Sequence, residues 1–345
     1  NGKMVISLNK CKKPLIGLFL LWLIAMALFT LFRNKTVPTF MGGSIHTYRI
    51  SKKEHLQPVF KITGKREDEE RFQRPSKQSA LRLKYSFEDF INSTEKPPYI
   101  HILFQSPKDV IQAYYAILKE ASTMTGYYGG CGTIGWATIP YPYAYELFTA
   151  AKREKVSLDQ FEKSFAGIGH ITLLKLLPAY SPLGTPENIK YFMVEIETIT
   201  GTPYKEKNNS HAQPTYFSYY YGIITTEHSP SEGWKIKSID YLPEDFLCAP
   251  YHHWDWDAEA LVEIIYKNWY KVINKIEKVD KKDSIIRIYA KGNHTRYRFD
   301  FVRLTNGEDI LLHEYVEEKG QWKETNLLQE KHQMYKLSIL NPNLQ

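Results

Sequence analysis

Cysteine is scarce: three occur in 345 residues, at positions 11, 131 and 248. No Cys-x-x-Cys pair and no His-Glu-x-x-His scaffold is present, which excludes the common zinc frameworks. A Gly-Lys-Ser/Thr phosphate loop is missing, and so is a glycine fingerprint following a strand, so the familiar nucleotide cradles are excluded as well. No folded stretch combines a basic face with interleaved aromatics, and nucleic acid is not expected as a partner. The formal charge of +7, from 45 basic and 38 acidic residues, is modest for this length. Neither a cofactor nor a metal is expected.

What is present begins with Lys10, Lys12 and Lys13, followed by an uncharged apolar run over residues 14–32. Nineteen residues at 1.5 Å each nearly span a hydrocarbon core of about 30 Å. Two readings compete for the run. One is an uncleaved anchor; the other is a secretory signal peptide cut after Ala25-Met26-Ala27. Leu28, Phe29, Leu31 and Phe32 carry the apolar stretch past that cut and favour the anchor. Three lysines before the run, against Arg33 and Lys35 after it, leave the N-terminus inside. The expectation is a cytoplasmic tail (1–13), a single transmembrane anchor (14–32) and an extracytoplasmic bulk at the cell membrane. Cys11 then lies in the tail, and Cys131 and Cys248 remain as candidate disulfide partners. Residues 33–98 read as a basic flexible linker, punctuated by Gly42-Gly43, the charge run from Lys65 to Glu70, and Pro97-Pro98.

Helical spacing begins at Ser106-Pro107-Lys108-Asp109, where a serine cap precedes a proline at the first helical position. Asp109 is expected to complete a capping box. Val110, Ala113, Tyr114, Ile117 and Leu118 mark one buried face. A second helix is predicted over 142–152 and a third from Ser157, with Gln160 as the reciprocal capping partner. After Gly169 the period changes to that of strands, over 171–180, 190–200, 214–228 and 234–242. Aromatics occupy both faces of the third, so part of it must be covered twice. A further helix is capped by Asp257 and carries apolar positions as far as Ile276. Strands follow at 284–290, 295–304, 310–318 and 321–327. The fold class expected is α+β: a transmembrane helix, then helices on a curved antiparallel sheet, then a second small helix-plus-meander unit.

Three helices followed by a long meander, ending in the Gly-Trp-Lys-Ile-Lys-Ser-Ile strand at 233–239, resemble the nuclear-transport-factor-2-like cone fold over about 106–247. The resemblance lies in the order of elements, and it implies a membrane-anchored envelope protein of bacterial type. It places an NTF2-like α+β domain at 99–250; the spacing of the later helix and strands adds a small α+β C-terminal domain at 251–330 and a tail at 331–345. The fold serves isomerases, dehydratases, periplasmic assembly proteins and modules without chemistry, so it constrains shape more than activity.

The loop from Gly126 to Trp136 holds five glycines in eleven residues. Tyr127, Tyr128, Cys131 and Trp136 on it, with His170 beyond, are candidate ligand contacts, since aromatic rims suit sugar rings and peptides. The bland reading is a structural lid over the open end of the cone. His252, His253, Trp254 and Trp256 read as the joint between the two domains, because a single compact run wraps a metal poorly. Asp159, His170, Glu195, Glu197 and Asp240 are candidate acids and bases. Glu195 and Glu197 share a strand face opposite Phe192, Val194 and Ile196, which predicts that both glutamates face water. No catalytic residue is assigned. The leading expectation is a membrane-anchored scaffold or accessory protein of a cell-envelope complex, contacting other membrane or envelope proteins or cell-wall polymer. The alternative is a glycan or small-molecule binding domain, with lyase- or isomerase-like chemistry, whose pocket lies under the Gly/Tyr loop.

Overall fold

The computed structural model describes residues 39–46, 80–91, 103–127, 133–203, 215–246, 257–341 and 344. The apolar run 14–32 lies outside the described residues. Among those described, no helix is long and apolar enough to cross a membrane.

The first described element lies within the stretch expected to be a linker. β1 (Thr39–Phe40) and β2 (Gly43–Ile45) form a hairpin whose two turn residues, Met41 and Gly42, have φ of 46° and 75°. A two-residue turn of this hand matches strand twist and needs positive φ at both positions. Methionine tolerates it here because it is locked in place. Its side chain is fully buried, its N–H donates to the Ser164 carbonyl at 3.2 Å, and its carbonyl accepts from the Tyr114 hydroxyl at 3.0 Å. Leu81, Leu83, Phe87 and Phe90 add a second piece of 33–98 to the same core. These few apolar residues, scattered among lysines and arginines, gave no periodic signal.

α1 (Pro107–Glu120) starts as expected, with Ser106 accepting from the Lys108 N–H at 3.2 Å. Asp109 does not close the expected capping box on this helix; its carboxylate takes Lys84 Nζ at 2.7 Å and the Tyr85 hydroxyl at 3.3 Å. β3 (Thr133–Ile134) follows the Gly/Tyr loop. The helix predicted over 142–152 is broken into α2 (Tyr141–Glu146) and α3 (Ala150–Lys155). The break is a competition that strand pairing wins. Ile236 donates to the Leu147 carbonyl at 2.8 Å and accepts from the Thr149 N–H at 2.9 Å, and the Thr149 side chain then caps α3. α4 (Leu158–Lys163) carries the expected reciprocal box between Ser157 and Gln160.

β4 (Ile168–Pro178), β5 (Ile189–Thr200), β7 (Tyr216–Ser229) and β8 (Gly233–Pro243) are long antiparallel neighbours. The short β6 (Thr202–Pro203) pairs with β3 instead, in parallel. The large sheet runs β1-β2-β8-β7-β5-β4, with β2 parallel to β8. Bulges in β4 and at Thr225/Thr226 let these strands bend. β7 is indeed covered twice: Tyr220 and Ile224 pack with the helices, while Tyr221 and Ile223 face the other way.

α5 (Ala258–Leu261) is capped by Asp257, which accepts from the Ala260 N–H at 2.8 Å, and it continues as a wider π-helical segment over Val262–Trp269. The helix expected to reach Ile276 stops there. Lys271 takes a φ of 56°, and β9 (Ile273–Lys282) begins as a largely exposed edge strand. Its apolar residues, Ile273, Ile276 and Val279, recur every third position among charges and so mimic the helix that precedes them, which hid the strand. β10 (Ile285–Gly292), β11 (Arg296–Arg303), β12 (Asp309–Glu318) and β13 (Gln321–Thr325) complete a five-stranded meander.

One face of the meander packs on α5 through Ile288, Phe299, Phe301 and Leu311. Val302, Leu304, Ile310 and Leu312 lie on the other face and meet Ala179, Met193, Tyr221, Ile223 and Leu242 of the large sheet. The layers are therefore helices, sheet, sheet, helix: an α+β protein dominated by antiparallel strands. Residues 331–341, expected as a tail, are built in. Leu337 is 1% exposed in the core between the sheets, and its N–H donates to the Leu311 carbonyl at 2.9 Å.

Candidate functional site

The space between the helices and the large sheet holds Tyr114, Tyr115, Tyr141, Phe148, Phe161, Phe165 and Tyr241, all essentially without exposure. Tyr115 and Tyr241 join hydroxyls at 2.9 Å, and Tyr141 stacks on Phe165 with centroids 4.8 Å apart. Burial pushes the phenols of Tyr114, Tyr115, Tyr141 and Tyr241 well above their usual range, so they remain neutral donors.

The described ends of the Gly/Tyr loop sit over the end of α1 and the start of β4. A Cβ on Gly135 would lie 2.4 Å from the Ser122 carbonyl oxygen and 2.6 Å from that of Tyr127, so the backbone approach there requires glycine. Tyr127 is half-buried, and Trp136 is half-buried against the aromatic core. Tyr128 and Cys131 lie outside the described residues, as do Cys248, His252, His253, Trp254 and Trp256. His170 is exposed, at a bulge with φ of 50°, its N–H held by Ser122 Oγ at 2.7 Å.

The candidate acids and bases are dispersed. Asp159 pairs with Lys163 on an exposed helix face. Asp240 meets His46 Nε2 at 2.9 Å at the β2–β8 edge, half-buried. Among the described residues no three His, Cys, Asp or Glu side chains gather as a metal site requires.

Glu195 corrects the sequence reading: it is fully buried. The face predicted to be wet is covered by the second sheet. Lys175, directly across the β4–β5 ladder, forms an ion pair with it, and the Thr305 N–H donates to its other oxygen at 2.8 Å. Glu197 is half-buried and accepts from the Tyr219 hydroxyl at 2.6 Å. Glu244, just past β8, accepts from the Asn306 N–H at 3.0 Å, and Asn306 Nδ2 donates to the Asp245 carbonyl at 3.2 Å. Desolvation, and after it the charge of Glu195, pushes the Glu244 carboxyl well above the usual carboxylate range. On the same β11–β12 turn the Glu308 carboxyl is pushed up to about 7, chiefly by desolvation.

This polar joint between the sheets is the most developed electrostatic feature of the described chain. Its signal in the sequence was Lys175, a lone charge between Leu173-Leu174 and Leu176-Leu177. The joint is closed to substrate and acts as a clamp. Exposed aromatics lie elsewhere: Tyr216 and Phe217, on opposite faces at the start of β7, are 59% and 60% exposed, and Phe246 is 39% exposed over the Tyr219 ring on the Phe217 side.

These features define an α+β protein with a filled interior. No family model matches the chain, and no curated protein matches it. A solved structure described as an Ntf2 like protein involved in plasmid conjugation is similar to it at 11% identity, over 54% of this chain and 95% of that one. The TM-score is 0.18.

Proposed function

We propose that this protein is a scaffold or accessory component of a cell-envelope complex, held at the membrane by residues 14–32 with its NTF2-like bulk outside. It acts by protein contact rather than by catalysis. The observation that carries this reading is the exposure of Phe217 and Phe246 on one face of the β7 end, with Tyr216 exposed on the other. Large apolar rings exposed at one end of a strand suit a contact surface. The core offers less to the alternative, a glycan or small-molecule pocket under the Gly/Tyr loop, because aromatic side chains occupy the space between helices and sheet.

Crosslinking in intact membranes tests the reading. Wild-type protein is expected to capture envelope neighbours, and the double variant Tyr216→Ser/Phe217→Ser is expected to lose them while keeping its thermal transition. Removal of residues 1–32 is expected to release the protein from the membrane fraction. Unchanged capture by the double variant defeats the patch as the contact surface. Saturable glycan binding that is abolished by Tyr128→Ala and Gly130→Val supports the pocket instead.

A further inference from the structure

The second sheet contains a buried group of reactive side chains that the scaffold reading does not use. β12 carries Glu314, fully buried, and three donors reach its carboxylate. The Tyr266 hydroxyl lies 2.7 Å and the Leu327 N–H 3.1 Å from Oε1, and Lys336 Nζ lies 2.7 Å from Oε2. Lys336 is itself 0% exposed, with the Tyr180 ring centroid 3.7 Å from Nζ. Asn326 is the other neighbour of this amine, its Oδ1 at 3.3 Å. The same Oδ1 takes Gln333 Nε2 at 3.4 Å. Both groups facing it are donors, so the amide oxygen points inward and the NH2 outward.

An ion pair explains Lys336 and Glu314, but it does not require a primary amide held with its carbonyl against the amine. We propose that Lys336 and Asn326 are joined by an intramolecular isopeptide bond, formed with Glu314 as the proton-transferring group. Desolvation pulls the Lys336 amine below its ordinary range, which favours passage of its proton to Glu314. The neutral amine attacks Asn326 Cγ, and the carbonyl electron pair moves onto Oδ1, where Gln333 donates. Glu314 gives its proton to the departing amide nitrogen and takes one from the attacking nitrogen. The Cγ–Nδ2 bond breaks, ammonia leaves, and a secondary amide remains. Glu314 ends the step protonated and returns that proton to solvent. No oxidant or cofactor enters the balance. Asn326 is exposed on its outer side, so ammonia has a direct exit. The fixed contact between amine and amide replaces a bimolecular encounter, the largest advantage an intramolecular reaction has.

The mass of the intact chain decides the matter. Purified wild-type protein is expected to be about 17 Da lighter than its sequence, the mass of one ammonia. Trypsin is expected to leave Lys336 uncut, giving a branched peptide that contains Asn326 and Lys336. Asn326→Ala and Lys336→Arg are expected to restore the sequence mass. Asn326→Ala changes an exposed residue, so the fold survives it, and a native circular dichroism spectrum confirms this. Glu314→Gln keeps both partners and is expected to leave the chain at its full mass. Wild-type protein at its sequence mass, cleaved after Lys336, overturns the proposal. So does a loss of ammonia that persists in Lys336→Arg, which would place it at an isolated asparagine.

Discussion

Lys175 and Glu195 show how much one buried pair can govern. Removing water from two charges costs several kcal/mol, and their attraction with added hydrogen bonds offsets that cost. Glu195 has such support from the Thr305 N–H, so it also holds the second sheet's turn in place. Lys175→Met leaves that carboxylate buried without its cation, and the expected loss is roughly 3–5 kcal/mol, read as a lower urea midpoint. The double variant Lys175→Met/Glu195→Gln keeps an acceptor for Thr305 and is expected to recover most of the loss. Glu308 gives a pH dependence of definite sign. Its folded value of about 7 lies above the ordinary 4.5, so its stabilising contribution is complete below about 4.5 and fades as pH rises through about 7. Glu244, also raised, acts in the same direction. Melting temperature is expected to fall across that window, and Glu308→Gln to flatten the slope. The position of Glu195 was not readable from its strand, because alternation identifies two faces without saying that another sheet covers the second one.

At the level of elements, spacing and caps located most of the folded chain. Ser106, Ser157 and Asp257 cap the helices expected of them, and the strands predicted after Gly169 agree with the structure to within a few residues. Two of the misses share a cause. The β1–β2 hairpin and the Leu147–Thr149 break are fixed by pairing with β8, far along the chain, and local periodicity carries no trace of such a partner. The hairpin depends on one close approach. A Cβ on Gly43 would lie 2.4 Å from the Ile239 carbonyl oxygen. Gly43→Val is therefore expected to undock β2 from β8, and the His46 amide, bonded to the Tyr241 carbonyl at 2.8 Å, should lose its protection from hydrogen exchange. Retained protection at His46 would show that the β2–β8 pairing does not depend on that close approach.

Across the whole molecule, the sheets share an apolar core beside the polar joint of Lys175, Glu195 and Glu244. Met193, Tyr221, Ile223 and Leu242 on one side and Val302, Leu304, Ile310 and Leu312 on the other form a single buried cluster. Units joined in this way melt together, and calorimetry of the protein is expected to show one transition for residues 39–341, with matching calorimetric and van't Hoff enthalpies. A chain stopped at residue 250 is expected to aggregate, since it leaves that face of the large sheet uncovered. Two separated transitions would show that the shared core contributes little. The sequence suggested the two sheets but not their contact, because an apolar residue in a strand looks the same whether helix or sheet covers it.

Leu337 gives this arrangement a direction in time. It reaches the core between the sheets from beyond every strand, 94 residues after β8 ends at Pro243. At about 5–20 residues per second, synthesis of that stretch takes roughly 5–20 s. Throughout that interval a nascent large sheet holds an aromatic and aliphatic face open to its surroundings. Its safe maturation thus depends on what shields that face until the last piece arrives, whether a chaperone, the translocation machinery or delayed collapse.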